Sequence, residues 1–121
     1  MVKGYSELLV WQKAMGLVVE IYALVKLLPK EELYSLSDQM RRAAISIPSN
    51  IAEGHARQSV RSFIHFLSIA QGSRAELETQ LLICVRIGYL ENKQIENAFA
   101  LCQEIGKMMY ALENTWISKL K

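Results

Sequence analysis

The sequence predicts an all-α protein, an up-and-down antiparallel four-helix bundle, from three observations. Proline and glycine divide the chain into four long segments. Apolar residues recur within each at alternating steps of three and four, and no period-two alternation is sustained. The 3-4 spacing lays apolar side chains along one side of a helix, and short connections make consecutive helices antiparallel neighbours. Residues 1–121 read as a single domain with no linker, repeat or low-complexity tract.

The first segment runs from about Tyr5 to Leu28 and stops at Pro29. Leu8, Trp11, Met15, Val18, Tyr22 and Val25 form its regular stripe, expected to face the bundle core. A second stripe lies beside it: Ala14, Leu17, Ile21, Leu24 and Leu28. Two apolar stripes exceed what one four-helix core needs. The surplus, taken as Leu17, Ile21, Leu24 and Leu28 or their neighbours, points to contact with another chain. The second segment runs from about Glu31 to Glu53, with Gly54 as its C-terminal cap. Its apolar side is Leu36, Met40, Ala43 or Ala44, Ile47 and Ile51. Pro48 lies inside it, where it removes a backbone donor and crowds the preceding turn. A helix kinked near Pro48 is therefore expected, in preference to a break with Asn50 capping a new turn.

The third segment starts after Ser59 as N-cap and ends at Gly88. About 29 residues at 1.5 Å each make a rod of about 43 Å. Its main stripe is Val60, Phe63, Leu67, Ala70, Arg74, Leu77, Leu81, Cys84 and Gly88. Its neighbouring stripe is Phe66, Ile69, Ser73, Glu76, Gln80, Ile83 and Ile87. The fourth segment starts near Asn92, an N-cap residue type. It carries Ile95, Ala98, Cys102, Ile105, Met109, Leu112 and Trp116 at the same spacing.

Composition narrows the function classes. The 121 residues are 51% hydrophobic and 21% charged, which excludes an intrinsically disordered chain. No uncharged apolar run reaches the roughly 18 residues of a membrane span, and the apolar Leu8–Trp11 run is cut short by Gln12 and Lys13, unlike a signal peptide. A cytoplasmic location is expected. The net charge of +2 is unevenly spread, because all six Arg lie between residues 41 and 86 alongside Glu53, Glu76 and Glu78. Arginine suits fixed contacts to carboxylates and phosphates. Cys84 and Cys102 fit no zinc spacing. With helices three and four reversing near residue 90, they would stand about 7 Å apart along the axis, beyond disulfide reach. Free, buried thiols are expected.

No catalytic motif is present. A di-iron bundle site needs Glu-x-x-His on two helices, but His55 follows Glu53 one residue too early and Thr79 stands three residues after Glu76. His55 and His65 lack ligand spacing, and there is no nucleophile elbow, phosphate-binding glycine loop or Ser-x-x-Lys. No enzyme activity, metal, cofactor or small-molecule substrate is implied. Two polar features remain. Gln39, Arg42, Ser46, Asn50 and Glu53 share one side of helix two, and a reversal near residue 57 brings Arg42 level with Ser73 and Glu76. A register-fixing Arg42–Glu76 ion pair is expected there. Arg57, Arg61 and His65 recur every four residues at the start of helix three, with Arg41 on the preceding helix. They read either as a solvated face or as a phosphate-contacting ridge. Clustered, outward arginines favour nucleic acid; pairing with local carboxylates favours a solvated face.

The run from Gln39 to Gly54, QMRRAAISIPSNIAEG, resembles the signature of the bacterial four-helix bundle family of 23S ribosomal RNA intervening-sequence proteins. Phe63–Glu78 (FIHFLSIAQGSRAELE), Val10–Ala14 (VWQKA) and Pro29–Leu36 (PKEELYSL) strengthen the resemblance. It implies a ring-shaped homopentamer, a relation to the accessory variability determinant of diversity-generating retroelements, which binds nucleic acid and a reverse transcriptase, and no catalytic residue. Carried over by position, Arg42, Asn50, Glu53, Ser73 and Glu76 are structural or interfacial. The resulting expectation is a non-enzymatic oligomer that binds RNA or DNA through Arg41, Arg57, Arg61 and His65. The alternative is a structural or protein-interaction module with no nucleic-acid affinity.

Overall fold

A computed structural model describes residues 4–120; the remainder of the expected 1–121 domain, residues 1–3 and 121, lies outside the described residues. Four helices follow in order: α1 (Leu9–Val25), α2 (Leu36–Ala56), α3 (Val60–Arg86) and α4 (Asn92–Ser118). Single 3-10 turns, Tyr5–Glu7 and Lys30–Glu32, precede α1 and α2. Each helix packs on its two neighbours around the bundle, α1 closing on α4, and diagonal pairs make no close backbone approach. This is the expected up-and-down four-helix bundle. Among the described residues, no helix is long and apolar enough to cross a membrane.

The core is a column of apolar side chains from all four helices. Leu17, Ile21, Met40, Ile47, Ile51, Phe63, Leu67, Leu77, Leu81, Ile105 and Met109 are its largest members. Burying each contributes about 1.5–3 kcal/mol. Cys84 and Cys102 are free and buried within it. Burial pushes the Cys102 thiol up to about 12, with a smaller push from Glu78. Burial, assisted by the Glu32 charge, also raises the Cys84 thiol.

On α1 the second stripe takes most of the core-facing role, with Val25 of the first stripe buried as expected. Val10, Ala14, Leu17, Ile21 and Val25 are buried, together with Leu28 beyond the helix. Of the stripe expected inside, Leu8, Trp11 and Val18 are half-buried and Met15 and Tyr22 are exposed. Both stripes have helical spacing, so periodicity cannot choose between them; the faces offered by α2 and α4 do.

Helix α2 starts five residues later than expected. Pro29 and a 3-10 turn intervene, and the Glu32 side chain turns back over the helix start. Its carboxylate accepts hydrogen bonds from Ser35 Oγ at 2.7 Å, Leu36 N at 3.4 Å and Tyr89 Oη at 2.7 Å. The Ser35 and Tyr89 bonds hold that carboxyl below the usual range, and the bond to Glu32 raises Tyr89. One side chain thus ties the α1–α2 connection to the α3–α4 connection.

Helix α2 runs unbroken through the buried Pro48. Gly54 does not end it. The helix continues to Ala56, and the reversal is made by Gln58 at φ 55. Gly54 instead serves packing: a Cβ there would fall 2.7 Å from Phe66 Cβ, so its bare backbone lets α2 and α3 close on one another.

Helix α3 has the expected ends. Ser59 Oγ accepts from Ser62 N at 3.3 Å, and Gly88 takes φ +88 just beyond the C-cap. Helix α4 is capped one residue earlier than expected, by Glu91 in a reciprocal capping box with Gln94.

Candidate functional site

The polar side of helix two meets α3 through hydroxyls, without the expected ion pair. Ser46 Oγ and Ser73 Oγ lie 2.7 Å apart, and Asn50 Nδ2 donates to Ser46 Oγ at 2.9 Å and Ser46 O at 2.8 Å. This small network fixes the level of α2 against α3. Arg42 and Glu76 do not pair. Arg42 Nε donates to Asp38 Oδ2 at 3.0 Å, and its side chain is 79% exposed. Asp38, one turn earlier on the same helix, supplies an anion without bridging helices. Glu76 Oε2 accepts from Gln80 Nε2 at 3.1 Å. Gln80 is buried, and its Oε1 has no partner among the described residues. The heavy penalty for breaking a buried pair therefore does not attach to Glu76.

The four residues assigned to a basic ridge separate into distinct environments. Arg41 leaves it: its guanidinium donates to Leu33 O at 3.3 Å, lies 3.9 Å from Asp38 and sits 6.0 Å from the Tyr22 ring centre. That side chain braces the α1–α2 connection. Arg57 Nη2 donates to Glu53 Oε2 at 2.8 Å, which accounts for Glu53 and offsets the arginine's charge. Its guanidinium also lies 5.0 Å from the Phe66 ring centre. His65 meets the same ring edge-on at 5.2 Å. Arg61 is exposed and makes no hydrogen bond or ion pair among the described residues. The arrangement is an Arg57–Phe66–His65 cluster beside an open Arg61. Phe66 was missed as a site residue because it reads simply as part of an apolar stripe. Its place one residue after His65 and five after Arg61 was the available signal.

A third surface is apolar. Trp11, Met15 and Val18 of α1 and Ile45, Pro48 and Ala52 of α2 line a groove of about 320 Å³, with Tyr5 also in its lining. Tyr5 and Trp11 stack edge-on at 5.4 Å. Val19 at 71% exposure, Met15 at 43% and Ile45 at 42% leave this side uncovered. Tyr22, one turn beyond Val18, extends it. The surplus apolar face is thus made of these neighbours; Leu17, Ile21 and Leu28 are inside, and Leu24 is half-buried against the core.

Residues 6–111 match the profile of the family described as 23S rRNA-intervening sequence protein. Among solved structures, the chain is similar to a protein with unknown function from the S23 ribosomal protein family of Bacteroides thetaiotaomicron VPI-5482. That likeness has 30% sequence identity and a TM-score of 0.80, and covers 87% of this chain and 98% of the other. No curated protein matches the chain.

Proposed function

The chain belongs to the family of 23S rRNA-intervening sequence proteins, and on that footing we propose that it works as a non-enzymatic, self-assembling helical bundle. The observation that carries this reading is the uncovered apolar side of α1 and α2. Val19, Met15, Ile45 and Tyr22 are exposed, and Met15 and Ile45 also line the α1–α2 groove. A contiguous apolar surface of this kind marks a protein interface, and closed cyclic assembly covers it on every subunit without leaving a free edge. The family resemblance supports a pentamer.

Sedimentation equilibrium at micromolar concentration checks the assembly. Chains of 13.8 kDa are expected to form a species of about 69 kDa. Met15→Glu with Val19→Glu should reduce it to the single-chain mass with helical content unchanged, because two carboxylates cannot be desolvated at the interface without large cost. Wild type at 13.8 kDa would overturn the reading. Another closed stoichiometry would retain assembly and correct the number.

A second reading, nucleic-acid binding by the assembled bundle, is supported by Arg61. It is the ridge arginine with no local carboxylate, and the Arg57–Phe66–His65 cluster stands beside it. The relation to retroelement accessory proteins that the family resemblance implies would point the same way. Repetition around a ring multiplies a weak contact through effective concentration. Binding of RNA or DNA is expected to be poor in sequence discrimination and steeply salt-dependent. Arg61→Glu should weaken it about tenfold or more in fluorescence anisotropy at low salt, with the oligomer intact. Absence of binding by wild type, or equal binding by the variant, favours the purely structural or protein-interaction module.

A further inference from the structure

Arg74 interrupts the apolar stripe of α3, between the buried Ala70 and Leu77, and none of the surfaces described above uses it. Its guanidinium is held by its own helix. Nε donates to Gln71 Oε1 at 2.7 Å, and Nη1 donates to Glu78. The side chain is 21% exposed. Helix α4 makes room for it at Gly106. A Cβ there would fall 2.7 Å from Arg74 Nε and 2.9 Å from its Cδ and Cζ. Glycine inside a helix is about 1 kcal/mol worse than alanine, so helix stability is given up where the guanidinium lies. Gln71 Nε2 donates to Gly106 O at 2.9 Å and closes the floor.

A staple between helices would account for Gln71, but not for Arg74, whose bonded partners both belong to α3. Nη2 carries none of these bonds. Arg74 lines a groove of about 460 Å³ together with Gln71 and Glu78 of α3 and, on α4, Gln103, Gly106, Lys107 and Tyr110. Lys107 is exposed and has no ion pair among the described residues, and Tyr110 is 64% exposed.

We propose that this α3–α4 groove binds a small phosphate monoester. An oriented guanidinium edge and a mobile ammonium are complementary ways of holding phosphate oxygens. The volume falls in the range of about 300–1,000 Å³ usual for small-ligand clefts. Glu78 lines the groove and offsets the charge of Arg74, so Lys107 supplies the net positive charge and weak binding is expected. The Tyr110 ring gives a surface on which a base attached to the phosphate can stack.

The test is titration of the full chain with inorganic phosphate and, separately, adenosine monophosphate at low salt, followed by backbone amide NMR shifts. Saturable shifts are expected at Gln71, Gly106 and Lys107. Lys107→Gln should weaken binding about tenfold, while Lys93→Gln, an exposed change in the first turn of α4, leaves it unaltered. Both substitutions remove exposed charges, so folding is not at stake. Tighter binding of the nucleotide, with the excess abolished by Tyr110→Ala, identifies a nucleotide ligand; equal binding identifies the phosphate group as the whole determinant. Both results support the site. Non-saturable shifts with both probes, or equal weakening by the two lysine variants, would overturn it.

Discussion

Phe63→Ala is expected to lower the free energy of unfolding by about 4 kcal/mol. The side chain is 1% exposed, and its ring is the junction of three helices. It meets His55 of α2 edge-on at 5.6 Å and Trp116 of α4 edge-on at 4.7 Å. Truncation removes the buried ring, leaves a cavity lined by groups that cannot all collapse inward, and breaks two aromatic contacts worth about 0.5–1.5 kcal/mol each beyond their area. Against a typical total of about 5–15 kcal/mol for a domain, that is a large fraction. Phe63→Leu, which keeps most of the volume, should cost about 1.5 kcal/mol. Urea unfolding at one fixed protein concentration measures both, since assembly makes stability concentration-dependent. An alanine variant within about 1 kcal/mol of wild type would mean that this end of the bundle is loosely packed.

The fold was legible where a residue's chemistry and its position answered to one cause. Ser59 and Gly88 bracket α3 because a hydroxyl can accept from the first turn and a glycine can take positive φ, and both residues do so. Gly54 followed the same pattern after helix two, but two different physical needs select glycine there. One is a left-handed cap; the other is a close helix approach, and the second operates. Nothing in Gln58 announced that it would make the turn at φ 55. On α1 both stripes had correct spacing, so the sequence carried an apolar surplus without carrying which face held it. Tertiary packing decided that.

The candidate site was legible by residue type and less so by pairing. Arg42 and Glu76 do lie on helices that touch, yet Asp38 competes for Arg42 from its own helix and needs no alignment between elements. The same local competition takes Arg57 to Glu53 and Arg74 to Glu78. Pairings one helical turn apart are cheap in chain entropy, and a search for cross-helix partners overlooks them. By sequence Arg74 reads only as a member of the main stripe of helix three. Its accommodation by Gly106 depends on how α3 and α4 face each other, which no single-helix pattern carries.

Gly54→Ala tests that reasoning at the contact that positions Phe66, and with it Arg57 and His65. Inside a helix, alanine is favoured over glycine by about 1 kcal/mol, so a cap-free reading of α2 alone predicts stabilisation. The α2–α3 contact predicts the reverse. The new methyl would lie 2.7 Å from Phe66 Cβ, 3.2 Å from Phe63 Cδ1 and 3.4 Å from Phe63 Cα. Phe66 Cβ is fixed to the α3 backbone and cannot swing aside, so relief requires the two helices to part. Overpacking of this kind costs about 1–3 kcal/mol, and the upper end applies because backbone must move. The net expectation is a loss of about 2 kcal/mol after the helix-propensity gain. Gly72→Ala supplies the control. Gly72 lies within α3, is exposed, and has nothing within 4 Å of an added Cβ, so that variant should gain about 0.5–1 kcal/mol. Urea unfolding of the two variants should therefore move in opposite directions from wild type. Stabilisation by both substitutions would show that α2 and α3 do not approach at Gly54, and would remove the support on which the Arg57–Phe66–His65 cluster rests.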